Sequence, residues 1–204
     1  MPNYALVTGG SRGIGRAICL KLAEQGFNLL INYRSNLERA QNTLSEVQAF
    51  GVEAELIPFD IGDSKAVREH LGGWVQRNPD KFIEVLVNNA GVRRDNLMIF
   101  MKEEEWEEVI NTNLNSFFYV TKQVLRKMLT KKSGSIINVS SQSGSTGWKG
   151  QVNYSAAKSG LFGATKSLAI ELGTKNVRIN TITPGQGECN PHPYRLKDFC
   201  FILK

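Results

Sequence analysis

Cysteine is scarce in this 204-residue chain: Cys19, Cys189 and Cys200 are too few for a disulfide scaffold, and their spacing fits no zinc site. A reducing, cytoplasmic setting without a structural metal is the expectation. No stretch approaches the roughly 18 to 20 apolar residues of a membrane span. The opening MPNYALVTGG has no basic segment followed by a long apolar one, so neither a secreted nor a membrane-spanning chain is expected. Basic runs interleaved with aromatics are absent, which leaves nucleic-acid binding unsupported. Repeats, low-complexity tracts and Pro/Gly/Ser linkers are absent as well, so a single domain is expected.

What is present suits a folded α/β domain. A chain with 41% hydrophobic and 9% aromatic residues, at this length, buries about 70% of its unfolded surface. The net charge of +6 favours an anionic cofactor or an acidic partner. Short β-rich runs at 4–8, 28–33, 53–59, 83–88, 135–140 and 178–183 alternate with helical patterns at 15–25, 37–50, 65–77, 103–131 and 154–173. That alternation predicts a doubly wound Rossmann-type domain, a mostly parallel sheet with helices on both faces. The periodicity stops after Gln186. The expected division is therefore a doubly wound α/β domain over residues 1–186 and an atypical tail over 187–204, GECNPHPYRLKDFCFILK.

Directly after the first strand comes Thr8-Gly9-Gly10-Ser11-Arg12-Gly13-Ile14-Gly15, within which a helix begins. Glycines there let the backbone turn tightly beside a pyrophosphate, and the free N–H groups of the helix start attract its charge. The second strand ends without the acidic residue that would hold a free ribose 2′-hydroxyl. Arg34 stands near that place and Arg12 lies in the turn, and guanidinium groups suit a 2′-phosphate. NADP(H) is therefore the expected cofactor.

Tyr154 and Lys158 are four residues apart, which places both on one face of a helix. A nearby ammonium would favour the phenolate and lower the tyrosine pKa, making Tyr154 a proton donor. Ser140 and Ser141 end a strand at the edge where open α/β sheets bind ligands, and a serine there can hydrogen-bond a substrate carbonyl. Neither His70, on a surface helix, nor His192, in the tail, is placed to activate it, which disfavours hydrolase chemistry.

From Tyr4 to about Gln186 the chain resembles the short-chain dehydrogenase/reductases, and within them the β-ketoacyl-[acyl-carrier-protein] reductases of fatty acid synthesis. Thr8–Gly15 is similar to the family's TGxxxGxG, Asn88-Asn89-Ala90-Gly91 to its NNAG, Tyr154–Lys158 to its YxxxK and Pro184-Gly185 to its PG. The segment Arg93-Arg94-Asp95-Asn96-Leu97 is similar to ketoacyl reductases in particular. The resemblance implies a tetrad of Asn113, Ser141, Tyr154 and Lys158, with Asn113 positioning a water that relays protons to Lys158. It implies cofactor contacts at Thr8, Gly9, Ser11, Arg12, Gly13, Ile14, Gly15, Arg34, Asp60, Ile61, Asn88, Ala90, Gly91, Tyr154, Lys158, Pro184 and Gly185.

The resemblance further implies reduction of a β-ketoacyl thioester on an acyl carrier protein, docked through basic residues near the site mouth that match Lys132 and Lys175, and a homo-oligomer. A last strand, a substrate-covering helix pair and a threonine at the place of Cys189 would complete the family pattern, and none can be read in the tail. Two alternatives stay open: a truncated, non-catalytic reductase fragment, and a reductase of another ketone or alcohol.

Overall fold

The computed structural model describes residues 3–185; the tail from 187 to 204, with Cys189 and His192, lies outside the described residues. Six strands, β1 (Asn3–Val7), β2 (Asn28–Tyr33), β3 (Ala54–Pro58), β4 (Phe82–Asn88), β5 (Gly134–Val139) and β6 (Val177–Ile182), form one sheet in the order β3-β2-β1-β4-β5-β6. All neighbours pair parallel. Strands buried on both faces need near-continuous apolar sequence, and every residue of β5 is buried.

Successive side chains leave a strand on opposite faces, so each strand feeds two cores. Tyr4, Leu6, Leu30, Leu86 and Ile136 pack on one face with Trp74, Val120, Val124 and Met128. Ala5, Val7, Leu29, Ile31, Val87 and Ile137 pack on the other with Ile18, Leu22 and Val47. The second core is covered by α1 (Gly13–Glu24) and α2 (Leu37–Gln48). The first is covered by α3 (Ser64–Val67) and α4 (Gly73–Arg77), joined by the π-helical turn Arg68–Gly72, and by the long helices after β4 and β5.

Two expected helices are thus broken. The pattern at 65–77 divides into α3, the π turn and α4, and the pattern at 103–131 divides into α5 (Glu103–Ile110), a π turn (Asn111–Asn115) and α6 (Ser116–Lys131). Two short elements had no periodic signal: the 3-10 turn Met98–Phe100 and α7 (Ser143–Thr146). The last helix, α8 (Val152–Leu172), begins two residues before the expected start.

The topology places the site. From β1 the chain winds outward to β2 and β3, and from β4 it winds the other way to β5 and β6. Loops leaving the carboxyl ends of β1 and β4 therefore diverge, and the crevice between them is where open α/β sheets take ligands.

Candidate active site

The turn from β1 into α1 is pinned to the end of β4. Thr8, buried, accepts from the Asn89 N–H at 2.9 Å and the Ala90 N–H at 3.1 Å. Asn89 Nδ2 donates to the Thr8 carbonyl at 2.9 Å. This close approach needs glycine: a Cβ on Gly15 would overlap the Gly9 carbonyl oxygen and stand 2.6 Å from Asn89 Nδ2. Arg12, the residue before α1, makes no side-chain cap bond, so the first N–H groups of the helix have no side-chain acceptor, the kind of helix start that favours an anion.

A cleft of about 610 Å³ runs from this turn across the ends of β2 and β3. Gly9, Ser11, Arg12, Gly13, Ile14, Gly15, Arg34, Asp60, Ile61, Ala90 and Gly91, all expected at the cofactor, line it. Arg39, Asn32 and Thr112 line it too and were not read from the sequence. Arg39 reaches it because the Asn36 side chain caps α2 by accepting from the Arg39 N–H at 2.9 Å, which sets the first helical turn over the end of β2. Arg34 meets Asp60 at 3.5 Å in an exposed pair, an interaction weak enough for the guanidinium to exchange it for a phosphate.

Two expected contacts have other partners. Asn88 Nδ2 donates to Asn138 Oδ1 at 2.9 Å and lies 3.3 Å from Thr121 Oγ1. Asn138 in turn donates to Thr165 at 2.9 Å, so Asn88 belongs to a polar tie across β4, β5 and α8. Thr8 likewise spends its hydroxyl on the β4 loop. Pro184 and Gly185 follow β6 at the same carboxyl edge of the sheet.

That edge also gathers the expected tetrad. Ser140 and Ser141 follow β5; the buried Ser140 hydroxyl donates to the Lys158 carbonyl at 2.8 Å, which leaves Ser141 as the serine available to the expected tetrad. Lys158, 3% exposed, lies with its ammonium 5.7 Å from the Tyr154 ring centroid and donates to the Val139 carbonyl at 2.8 Å. Burial with no carboxylate partner pulls its pKa down to about 8.

For Tyr154 the direction differs from the expected one. Burial pushes the phenol above its ordinary value, with a hydrogen bond to Ser141 and the Arg93 charge opposing.

Asn113 sits in the π turn, whose widened backbone it braces: Nδ2 donates to Val109 and Val92 carbonyls, each at 2.8 Å. Its Oδ1 is buried without a partner. A Cβ on Gly91 would come within 2.5 Å of that oxygen and 3.6 Å of Lys158 Nζ, so both atoms border the space that the missing side chain leaves open. An orphaned buried acceptor beside an ammonium is a place for water or a ligand hydroxyl.

Lys132 and Lys175 are not at the site mouth of their own chain. Both are exposed and precede β5 and β6, at the amino ends of the strands, where Asn176 Nδ2 ties to the Lys132 carbonyl at 2.8 Å. The carboxyl ends lie about 20 Å away, the length of a six-residue strand such as β5. Among the described residues no group of His, Cys, Asp or Glu could hold a metal ion, and no helix is long and apolar enough to cross a membrane.

A doubly wound parallel sheet with a glycine turn at its switch point and a Ser-Tyr-Lys group beside the cleft defines a nucleotide-dependent oxidoreductase architecture. The chain belongs to the short chain dehydrogenase family, whose model matches residues 3–190. It is 44% identical over 185 residues to the 3-oxoacyl-[acyl-carrier-protein] reductase FabG of Staphylococcus aureus, covering 91% of this chain and 74% of that protein. A 3-oxoacyl-[acyl-carrier-protein] reductase of Synechocystis is 44% identical over 185 residues, covering 90% and 73%. A crystal structure of a metagenomic short-chain oxidoreductase in complex with NADP superposes with a TM-score of 0.84 at 34% identity, covering 91% of this chain and 83% of that one.

Proposed function

We propose that this chain is an NADP-dependent reductase of β-ketoacyl thioesters carried on acyl carrier protein. The carrying observation is the convergence of Asn113, Ser141, Tyr154 and Lys158 beside a cleft whose far end presents Arg12, Arg34 and Arg39. The names of the relatives and the NADP complex of the superposed oxidoreductase support the reading.

The residues present fit the dinucleotide: the glycine turn admits a pyrophosphate, and the arginines suit a 2′-phosphate. When bound, the reduced nicotinamide supplies the hydride. Ser141 donates a hydrogen bond to the ketone oxygen, polarising it and holding the carbon in place. Tyr154 gives its proton to that oxygen as negative charge develops there. Its raised pKa keeps the proton on the phenol at neutral pH, as a donor requires. Lys158 would bind ribose hydroxyls, and it would exchange a proton with solvent through water at Asn113 Oδ1.

The acidic carrier suits the chain's net charge of +6. Docking at Lys132 and Lys175 would require an assembly in which these lysines of one copy border the site of another. Exposed Trp106, Phe118 and Ile170, on α5, α6 and α8, support a homo-oligomer.

The test is oxidation of NADPH by the purified chain with acetoacetyl-carrier protein, beside Tyr154→Phe, with circular dichroism on both. Tyr154→Phe should lose about 100-fold or more in kcat while keeping its fold and NADPH binding. A folded parent that oxidises no NADPH would overturn the proposal.

A further inference from the structure

A line of polar side chains unused by the chemistry above connects the 93–96 loop to Ser141. Gln151 stands immediately before α8, where side chains often cap the helix, yet it makes no cap bond. Instead its Nε2 donates to Asp95 Oδ2 at 2.9 Å, and its Oε1 accepts from the Ser143 hydroxyl at 2.9 Å. Ser143 Oγ accepts from the Ser141 hydroxyl at 3.3 Å, and the Ser143 N–H donates back to Ser141 Oγ at 3.3 Å. Gln151 and Ser143 are each 6% exposed, so bulk water is a poor substitute for either partner.

The line has one polarity. A carboxylate only accepts, so Asp95 takes the amide NH₂ end of Gln151 and turns its carbonyl toward Ser143. Ser143 has one hydroxyl proton, and that carbonyl takes it. Ser143 Oγ then faces Ser141 as an acceptor, and with its own backbone N–H it holds the Ser141 hydroxyl by two bonds. Asn153, one residue beyond Val152, fastens the same loop separately, with Nδ2 donating to the Arg94 carbonyl at 3.0 Å. Loop anchoring therefore does not rest on Gln151 alone.

We propose that Gln151, oriented by Asp95, is a positioning residue: through Ser143 it holds Ser141 Oγ in one rotamer, and when substrate binds the Ser141 proton turns from Ser143 Oγ to the carbonyl oxygen while the Ser143 N–H keeps Oγ in place. This rests on the reductase reading for its consequence in turnover, and on geometry alone for the placement of Ser141.

The experiment is a mutant cycle in the full chain with NADPH and acetoacetyl-carrier protein. Gln151→Leu should lower kcat about 10-fold with the KM for NADPH held within about twofold, the cost of a misplaced group. On a Ser141→Ala background the same change should alter kcat by less than about twofold, because the group it positions is gone. Asp95→Asn combined with Gln151→Glu reverses donor and acceptor between the two positions while still offering Ser143 an acceptor, and should restore kcat to within about threefold of the parent. Equal losses in both backgrounds, or no recovery in the paired exchange, would overturn the positioning role.

A crystal structure of Gln151→Leu gives a readout independent of turnover. Ser141 should leave its rotamer, and an unmoved Ser141 Oγ would overturn the proposal even if the parent were inert. An inert parent would overturn the reductase reading instead.

Discussion

The ammonium of Lys158 is held by the Val139 carbonyl oxygen at 2.8 Å, one turn of α8 from the Tyr154 phenol. Burial lowers its pKa from 10.5 to about 8, so the folded chain carries fewer protons than the unfolded chain between those values. Stability gained from this group therefore rises with pH across that window, and below it the full penalty of a buried charge applies. Chemical denaturation of the parent and of Lys158→Met from pH 7 to about 10 should show the difference in unfolding free energy changing in that direction. A pH-independent difference would contradict the burial of an unpaired ammonium.

Gly15→Ala should damage the phosphate turn. Its Cβ would meet the Gly9 backbone carbonyl and Asn89 Nδ2, and backbone cannot move aside as a flexible side chain can. Overpacking of this kind costs about 1–3 kcal/mol, and a displaced turn would lose nucleotide affinity as well. Thermal unfolding and NADPH fluorescence titration check both effects.

Arg34→Ala and Arg39→Ala should each weaken NADPH more than NADH. A hydrogen-bonded charge pair of this type is worth about 1.5–3 kcal/mol, so each loss should raise the Kd for NADPH about 10- to 150-fold. Equal effects on both nucleotides would place the 2′-phosphate elsewhere.

Lys132 closes α6 in the left-handed region at φ 50°, a conformation that favours glycine. Lys132→Gly should stabilise the fold by about 1 kcal/mol, raising Tm by about 2–4 °C. If the lysine also docks an acidic carrier, the same variant will raise the KM for the carrier-bound thioester and leave a carrier-free thioester unaffected.

The strands were legible because burial on both faces demands continuous apolar sequence, and Tyr154 with Lys158 because a helix brings fourth neighbours onto one face. The glycine turn was legible for the same local reason: its place between β1 and α1 is sequential. Asn113 came from family likeness alone. A π turn leaves no periodic signature, although the run Asn111-Thr112-Asn113-Leu114-Asn115 is rich in side chains that compete for backbone hydrogen bonds.

Local order in the chain thus determined the strand and helix succession, the parallel sheet, the phosphate turn and the Tyr-Lys pair, since each depends on neighbours a few residues apart. Only the tertiary structure decided that the Ser140 hydroxyl turns to the Lys158 carbonyl and that Asn88 turns inward to Asn138. The fold likewise brings Arg39 to the end of β2, sets Lys132 and Lys175 at the opposite edge from Ser141, and makes Gln151 meet Asp95 across 56 residues. Those outcomes depend on strand direction, side-chain parity and the docking of distant loops, and no spacing within a single segment carries that information.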